Sequence, residues 1–285
     1  MSDAPMMVPP PETQNSPVPR GKAPFRWKGY PGISLTNARR SPFSALVIVL
    51  GAILVLFGMV AGAGLLGSGA GWSRDTRALA LLVVYLIGYG LWFLLARLGT
   101  RGAKLPLAER FGLRAFDPVP GLIAAFVVMS LALWAELLYG GLVLGLGIEV
   151  PRLPSVAEVF PLTPIGVGVA IVVTCIAAPL SEEVLFRGVL FGALRDRWGD
   201  WPAALVSGAA FAASHLNWFV FVPFTILGVL LAWITSQTRS VWPAVIAHAV
   251  FNVNALLIGY LYYYATPIAP TSAPGLRVII AVLFR

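Results

Sequence analysis

The sequence is poor in charged residues, in cysteine and in histidine. Of its 285 residues, 11% are charged and 58% are hydrophobic, whereas a soluble globular domain carries roughly 25% charged residues. Together with a mean hydropathy of +0.84, this excludes an ordinary soluble domain and indicates a membrane protein. A single cysteine, Cys175, excludes an intrachain disulfide, and its apolar surroundings predict a small buried thiol.

The positive net charge is distributed as in a membrane protein and does not indicate nucleic-acid binding. The chain carries 20 Lys and Arg against 12 Asp and Glu, and the basic residues lie mainly in short segments between apolar stretches. With the N-terminal tail placed in the cytoplasm, the inside segments hold fourteen Lys and Arg, and the outside loops hold only Arg74, Arg77 and Arg152. Because cytoplasmic loops are enriched in these residues, we predict a multi-pass protein of a bacterial cell membrane with a cytoplasmic N-terminus.

A basic, proline-rich tail precedes a long series of apolar segments. Residues 1–41 contain eight prolines and six Lys or Arg, which predicts a disordered cytoplasmic tail beside anionic lipid headgroups. Residues 42–285 form the predicted transmembrane domain, an all-α helix bundle of about seven or eight spans. A span needs about 20 apolar residues, and the candidate segments are 43–67, 78–97, 121–147, 163–193, 202–217, 219–236 and 241–263, with a shorter stretch at 275–284.

Several ionisable side chains fall inside these apolar segments. The pair Glu182-Glu183 and Arg187 lie in one segment, and the two histidines of the chain, His215 and His248, lie in two others. Each such group costs roughly 2.5–3.5 kcal/mol at the centre of a spanning helix. Ionisable residues retained at this cost typically face an interior cavity and carry function. The sequence therefore predicts a polar cavity, and within it a reaction centre, inside the membrane.

The acidic pair lies just after a predicted helix break. Pro179 cannot donate a backbone hydrogen bond, so we expect it to kink the helix before the pair. Glu183 and Arg187 are four residues apart, share a helix face and can pair, whereas Glu182 points about 100° away and has no obvious partner in its own segment. A carboxylate withdrawn from water is a stronger base, which suits a general base near neutral pH. The alternative is an interfacial salt bridge at the end of a span.

Two further motifs place a histidine one helical turn from a second side chain. Phe211 precedes His215 by four residues, so the aromatic ring can pack beside the imidazole and limit the access of water. His248 precedes Asn252 by four residues, and both can offer hydrogen-bond donors to one point. The alternatives are an interfacial histidine in the first motif and interhelical hydrogen bonding in the second. Glu136 lies in another span, either lining the cavity or partnering a Tyr or Arg.

Taken in order, the three motifs resemble a known family. They read EExxxR at 182–187, FxxxH at 211–215 and HxxxN at 248–252, on successive apolar segments within about 163–263. This combination resembles the CAAX protease and bacteriocin-processing enzymes, a family of intramembrane proteases labelled metalloproteases, whose eukaryotic members trim prenylated CAAX proteins. The resemblance implies an α-helical membrane bundle with the motif residues around one cavity, and endopeptidase activity in the region 163–263.

The resemblance also implies catalytic roles for four residues. Glu182 would activate the attacking water with help from His215. His248 and Asn252 would stabilise the oxyanion of the tetrahedral intermediate, a role worth about 2.7–4 kcal/mol per donor. The substrate would be a peptide or a membrane-associated protein, of the CAAX type or another.

Supporting residues and a metal are implied in the same way. Glu183 would hold Arg187 and orient the site. Two His, one Glu and a water form a common catalytic zinc set, so we expect a divalent metal, Zn²⁺, although a metal-free mechanism can also be written and no HExxH motif is present. The metal ligands would be Glu182, His215 and His248.

Two other functions are compatible with the same residues. Intramembrane Glu, His and Arg also serve proton relays, so a proton-coupled transporter is one alternative. A non-catalytic membrane scaffold or immunity factor that binds a partner protein is the other, and the motif residues would then serve packing alone. The sequence indicates no oligomeric state.

Overall fold

A series of helices accounts for the regular structure of the described chain. The computed structural model describes residues 42–68, 71–100, 106–148 and 156–265, and these contain helices and no strand. In chain order the helices are α1 Pro42–Ser68, α2 Arg74–Gly99, α3 Leu107–Arg110, α4 Pro118–Gly145, α5 Val156–Val159, α6 Pro164–Ala170, α7 Ala178–Glu183, α8 Gly192–Trp198, α9 Asp200–Ser214, α10 Phe221–Thr238 and α11 Trp242–Ala265. The predicted all-α multi-span fold is confirmed.

Six helices of the described chain are long and apolar enough to cross a membrane. Five of them are α1, α2, α4, α10 with the 3₁₀ turn before it, and α11, and the sixth is the continuous helical run Pro164–Trp198. The predicted segment 202–217 differs, because α9 has 15 residues and ends at Ser214, about 22 Å at 1.5 Å per residue. The predicted tail 1–41 and the stretch 275–284 lie outside the described residues.

The run Pro164–Trp198 is a broken helix, not a regular one. Two π-helical segments, Ile171–Ala177 and Val184–Phe191, flank α7 on either side. The break expected at Pro179 therefore takes the form of wider turns, which are common where a helix must absorb an irregularity and frequent at functional sites. The acidic pair lies at the end of α7, between the two π segments.

Small residues allow α9 and α10 to pack at very short distance. A Cβ atom built on Gly228 of α10 would lie 2.6 Å from the Cα atom of Gly208 on α9, closer than atoms approach in real proteins. On the other side of α9, the Ser207 hydroxyl donates to the Phe186 carbonyl at 3.0 Å. These contacts hold α9 between α10 and the broken helix, which brings the second motif close to the first.

We expect Gly228→Ala to destabilise the protein by about 1–3 kcal/mol, because the added methyl forces α9 and α10 apart. The free energy of unfolding, measured on detergent-solubilised protein, tests this. Gly141→Ala in α4 is the matched control, since a Cβ atom there meets nothing within 4 Å. Equal stability of the two variants would contradict the close helix contact.

Candidate active site

A buried chain of charged and polar groups joins the first and third motifs. Arg187 donates from Nη1 to Oε1 of Glu183 at 3.0 Å, and both side chains are fully buried. Nδ1 of His248 donates to the same oxygen at 2.9 Å. The expected Glu183–Arg187 pair is thus present, and it reaches across to α11, where it fixes the orientation of the imidazole.

Arg187 also contacts α9 and α10. Nη2 donates to the Gly228 carbonyl of α10 at 3.1 Å. The guanidinium carbon lies 4.6 Å from the centroid of the Phe211 ring, a distance at which a cation is attracted by an aromatic ring. Nε is buried without a hydrogen-bond partner. The charge is therefore stabilised by a carboxylate, a carbonyl and an aromatic ring from three elements.

Glu182 differs from its neighbour in having no hydrogen bond to any residue that the structure describes. Its Oε2 is buried without a partner and lies 3.9 Å from Nε2 of His248, while 13% of the side chain is exposed. An unpaired carboxylate of this kind is costly in a low-dielectric interior. It is therefore the group of this cluster that is available to a substrate or a water.

His215 is held at the end of α9 by its own helix. Its Nδ1 lies 2.9 Å from the Phe211 carbonyl, and because a carbonyl only accepts, Nδ1 carries the hydrogen. In the neutral ring, Nε2 then presents a lone pair. The ring packs edge-on against Phe211 and Phe224, with centroid distances of 4.8 and 4.6 Å. The expected contact between Phe211 and His215 is present.

Asn252 is fixed by a backbone group of the broken helix. Its Nδ2 donates to the Thr174 carbonyl at 2.7 Å, across a sequence separation of 78 residues. One amide hydrogen is used in this bond, and the second hydrogen and Oδ1 remain for other partners. The sequence analysis did not identify Thr174. Pro179 could have indicated it, because a proline inside a helix has no N–H to donate to a carbonyl about one turn earlier.

One cavity of about 180 Å³ collects the predicted catalytic residues. Glu182, His215, His248 and Asn252 all line it. Phe211 forms part of the wall, whereas Glu183 and Arg187 lie behind it, in contact with His248 and Phe211. The other lining residues, most of them apolar, are Val156, Thr174, Phe224, Leu227, Phe251, Ala255 and Leu256.

Glu136 does not belong to this cavity. It is 2% exposed, and its Oε2 is buried without a hydrogen-bond partner. The sequence analysis considered two placements for Glu136. It does not line this cavity, and no Tyr or Arg among the described residues bonds its Oε2.

The cavity residues do not converge as metal ligands. Among residues 42–68, 71–100, 106–148 and 156–265, no group of three or more His, Cys, Asp or Glu side chains is placed to hold a metal ion. Nδ1 of His248 is bonded to Glu183 and Nδ1 of His215 to a backbone carbonyl, so Nε2 is the nitrogen that each ring leaves open to a ligand. A catalytic zinc site needs three protein ligands at about 2.0–2.2 Å. The described side chains do not form such a set, and the Zn²⁺ expected from the sequence stays a prediction.

We expect Arg187→Ala to lower the free energy of unfolding by about 3–5 kcal/mol, because it deprives the buried Glu183 carboxylate of its guanidinium partner. Denaturant titration in detergent measures the change. The control is Arg195→Ala, which removes a partly exposed ion pair with Asp200, worth about 0–1 kcal/mol. A loss in Arg187→Ala no larger than that of the control would contradict the buried network.

Comparisons with known proteins match the region that carries the motifs. Residues 164–254 match the family described as Type II CAAX prenyl endopeptidase Rce1-like. YdiL of Bacillus subtilis (strain 168), which its name describes as a candidate membrane peptidase, is 27% identical over 139 residues, or 48% of this chain and 54% of YdiL. No solved structure matches this chain.

Two further relatives match a longer and a shorter part of this chain. An uncharacterized 24.3 kDa protein of Escherichia coli is 28% identical over 70% of this chain and 84% of its own length. The UPF0177 protein YxdF of Lactococcus lactis is 32% identical over 27% of this chain and 43% of its own length. This chain thus spans about half the length of YdiL and of YxdF, and more of the Escherichia coli protein. Residues 164–254 share the sequence pattern of the Rce1-like endopeptidases, and the resemblance to the CAAX protease and bacteriocin-processing enzymes is confirmed.

Proposed function

We propose that this protein is an intramembrane endopeptidase that hydrolyses a peptide bond with a water activated by Glu182. The proposal rests on one cavity, which Glu182, His215, His248 and Asn252 all line. Glu182 is the acid among these four residues. The similarity of residues 164–254 to prenyl endopeptidases and the name of YdiL support a membrane protease in general. The mechanism below is argued from the side chains.

Glu182 is the general base. Its Oε2 has no hydrogen-bond partner, so it can accept a hydrogen bond from a water in the cavity and then a proton. His215 lines the same cavity, and its Nε2 lone pair can accept the second hydrogen of that water, because Nδ1 carries the ring hydrogen. Proton transfer to a positioned base typically contributes 10²–10⁴-fold to the rate.

His248 and Asn252 supply the donors for the oxyanion. Asn252 has one amide hydrogen left after its bond to Thr174. A His248 ring that carries hydrogens on both nitrogens donates one to Glu183 and offers the other, on Nε2, to the cavity. Donors fixed before the reaction stabilise the developing charge without reorganisation. In this mechanism Glu183 and Arg187 act as positioning residues that hold His248.

The reaction balances without an added reactant. The water oxygen bonds to the scissile carbonyl carbon while Glu182 takes one of its protons, and the carbonyl oxygen becomes the oxyanion. The C–N bond then breaks, Glu182 passes its proton to the leaving amine, and the oxyanion collapses to the carboxyl group of the new C-terminus.

The substrate class follows from the cavity wall and from the relatives. Apolar side chains such as Leu227, Phe251 and Leu256 line most of the cavity, which suits apolar residues beside the scissile bond. A CAAX-type peptide is therefore the first substrate to test, with and without a prenyl group on its cysteine.

We expect Glu182→Gln to lower the cleavage rate of a fluorogenic CAAX-type peptide at least a hundredfold, because an amide cannot accept the water proton. Purified full-length protein in lipid vesicles provides the assay. Glu136→Gln is the matched control, since it neutralises another buried acid that does not line the cavity, and it should cleave at close to the wild-type rate.

Three results would contradict the proposal. Cleavage by Glu182→Gln at the wild-type rate would show that Glu182 is not the general base. Proton transport into vesicles that contain the wild-type protein, without cleavage of any prenylated or unprenylated peptide, would favour a proton-coupled transporter. Binding of a partner protein without either activity would favour the scaffold.

Metal dependence has its own test. Because the cavity residues do not converge as ligands, we expect cleavage to survive incubation with a strong chelator, within about twofold of the untreated rate. The predicted Zn²⁺ would instead be established if the chelator abolished cleavage and added Zn²⁺ restored it. A vesicle leakage assay run in parallel controls for damage by the chelator.

A further inference from the structure

We propose that Pro179 is a positioning residue for Asn252: by lacking an N–H group, it leaves the Thr174 carbonyl free to hold the Asn252 amide at the cavity. The inference rests on the proposed function for its effect on catalysis, and on the structure alone for the hydrogen bond. Pro179 does not line the cavity and would act through the backbone of the neighbouring π segment.

The backbone register before Pro179 leaves one carbonyl without a donor. At the end of the π segment Ile171–Ala177, the Ala178 N–H donates to the Val173 carbonyl, one residue further back than in an α-helix. In the same register the Thr174 carbonyl would accept from residue 179. A proline at that position has no N–H, so the carbonyl of Thr174 has no backbone donor.

Asn252 supplies the missing donor. Its Nδ2 lies 2.7 Å from the Thr174 oxygen, and Thr174 faces the same cavity. Buried carbonyl groups are rarely left unpaired, so the free carbonyl favours one orientation of the Asn252 amide. That orientation keeps the second amide hydrogen and Oδ1 for the cavity.

Any residue with an N–H at position 179 would compete with Asn252. If the π register were kept, the new N–H would donate to the Thr174 carbonyl. If the segment changed to an α register, the Ala178 N–H would donate to it instead. In both cases the carbonyl gains a backbone partner, and the side-chain amide of Asn252 loses its fixed position.

The activity test compares Pro179→Ala with Pro164→Ala. Pro164 is the first residue of α6, where the missing N–H has no helical partner to lose, so its replacement should leave kcat and KM unchanged. For Pro179→Ala we expect kcat to fall about tenfold at unchanged KM, the effect of one lost hydrogen bond. In an Asn252→Ala background, Pro179→Ala should cause no further loss.

A second readout is independent of activity. The chain contains five asparagines, so selective ¹⁵N labelling of the full-length protein yields five side-chain amide signals, from Asn15, Asn37, Asn217, Asn252 and Asn254. Asn252→Gln identifies the signal of Asn252 by its loss. We expect Pro179→Ala and Pro179→Gly to shift this signal, and Pro164→Ala to leave it in place.

The outcomes separate this inference from the protease proposal. An unmoved Asn252 signal in folded Pro179→Ala and Pro179→Gly would overturn the inference, whether or not wild type cleaves a peptide. An effect of Pro179→Ala that adds in full to that of Asn252→Ala would also overturn it, because it would indicate a structural role. Absence of cleavage by wild type with a shifted signal would refute the protease proposal and keep the hydrogen-bond assignment.

Discussion

The burial of the Arg187 guanidinium is the constraint on which the site depends. A charge at this position is stable only with partners, because an isolated charge is very costly in an apolar interior. The partners are Glu183 on its own helix, the Gly228 carbonyl of α10 and the Phe211 ring of α9. Glu183 also accepts from His248 of α11. Satisfying one guanidinium therefore aligns α10 with the three segments that carry the motifs, which are the broken helix, α9 and α11.

Close backbone contact makes this alignment sterically feasible. The Gly228 carbonyl reaches Arg187 because α10 packs on α9 through Gly208 with no side chain between them. Small residues have this role in membrane proteins, where helix association depends on packing and hydrogen bonding and not on the exclusion of water. The π segments beside Glu182 and Glu183 also contact other helices through their carbonyl groups, since the Phe186 carbonyl accepts from Ser207 of α9 and the Thr174 carbonyl accepts from Asn252 of α11.

In the described chain, Oε2 is buried without a hydrogen bond in three acids, Glu136, Glu182 and Glu183, of which Glu183 is bonded through Oε1 to Arg187 and His248. The other two, both in helices long and apolar enough to span a membrane, show why location decides chemistry. Of these two, Glu182 lines the cavity of the motif residues and has the His248 imidazole within 4 Å, whereas Glu136 does not line it. A substrate and a water can reach the first acid and not the second. Composition and burial alone would not distinguish them.

The sequence by itself determined the helices and the local pairs. Long apolar runs predicted seven spanning segments, six of which are helices able to span. The four-residue spacing specified Glu183–Arg187 and Phe211–His215, because such residues meet on one helix face. The tertiary structure decided the contacts between helices, among them His248 with Glu183 and Asn252 with Thr174. It also limited α9 to 15 residues, since an apolar run does not distinguish a span from a buried helix. Periodicity fixes which residues share a face, whereas packing alone fixes which faces meet.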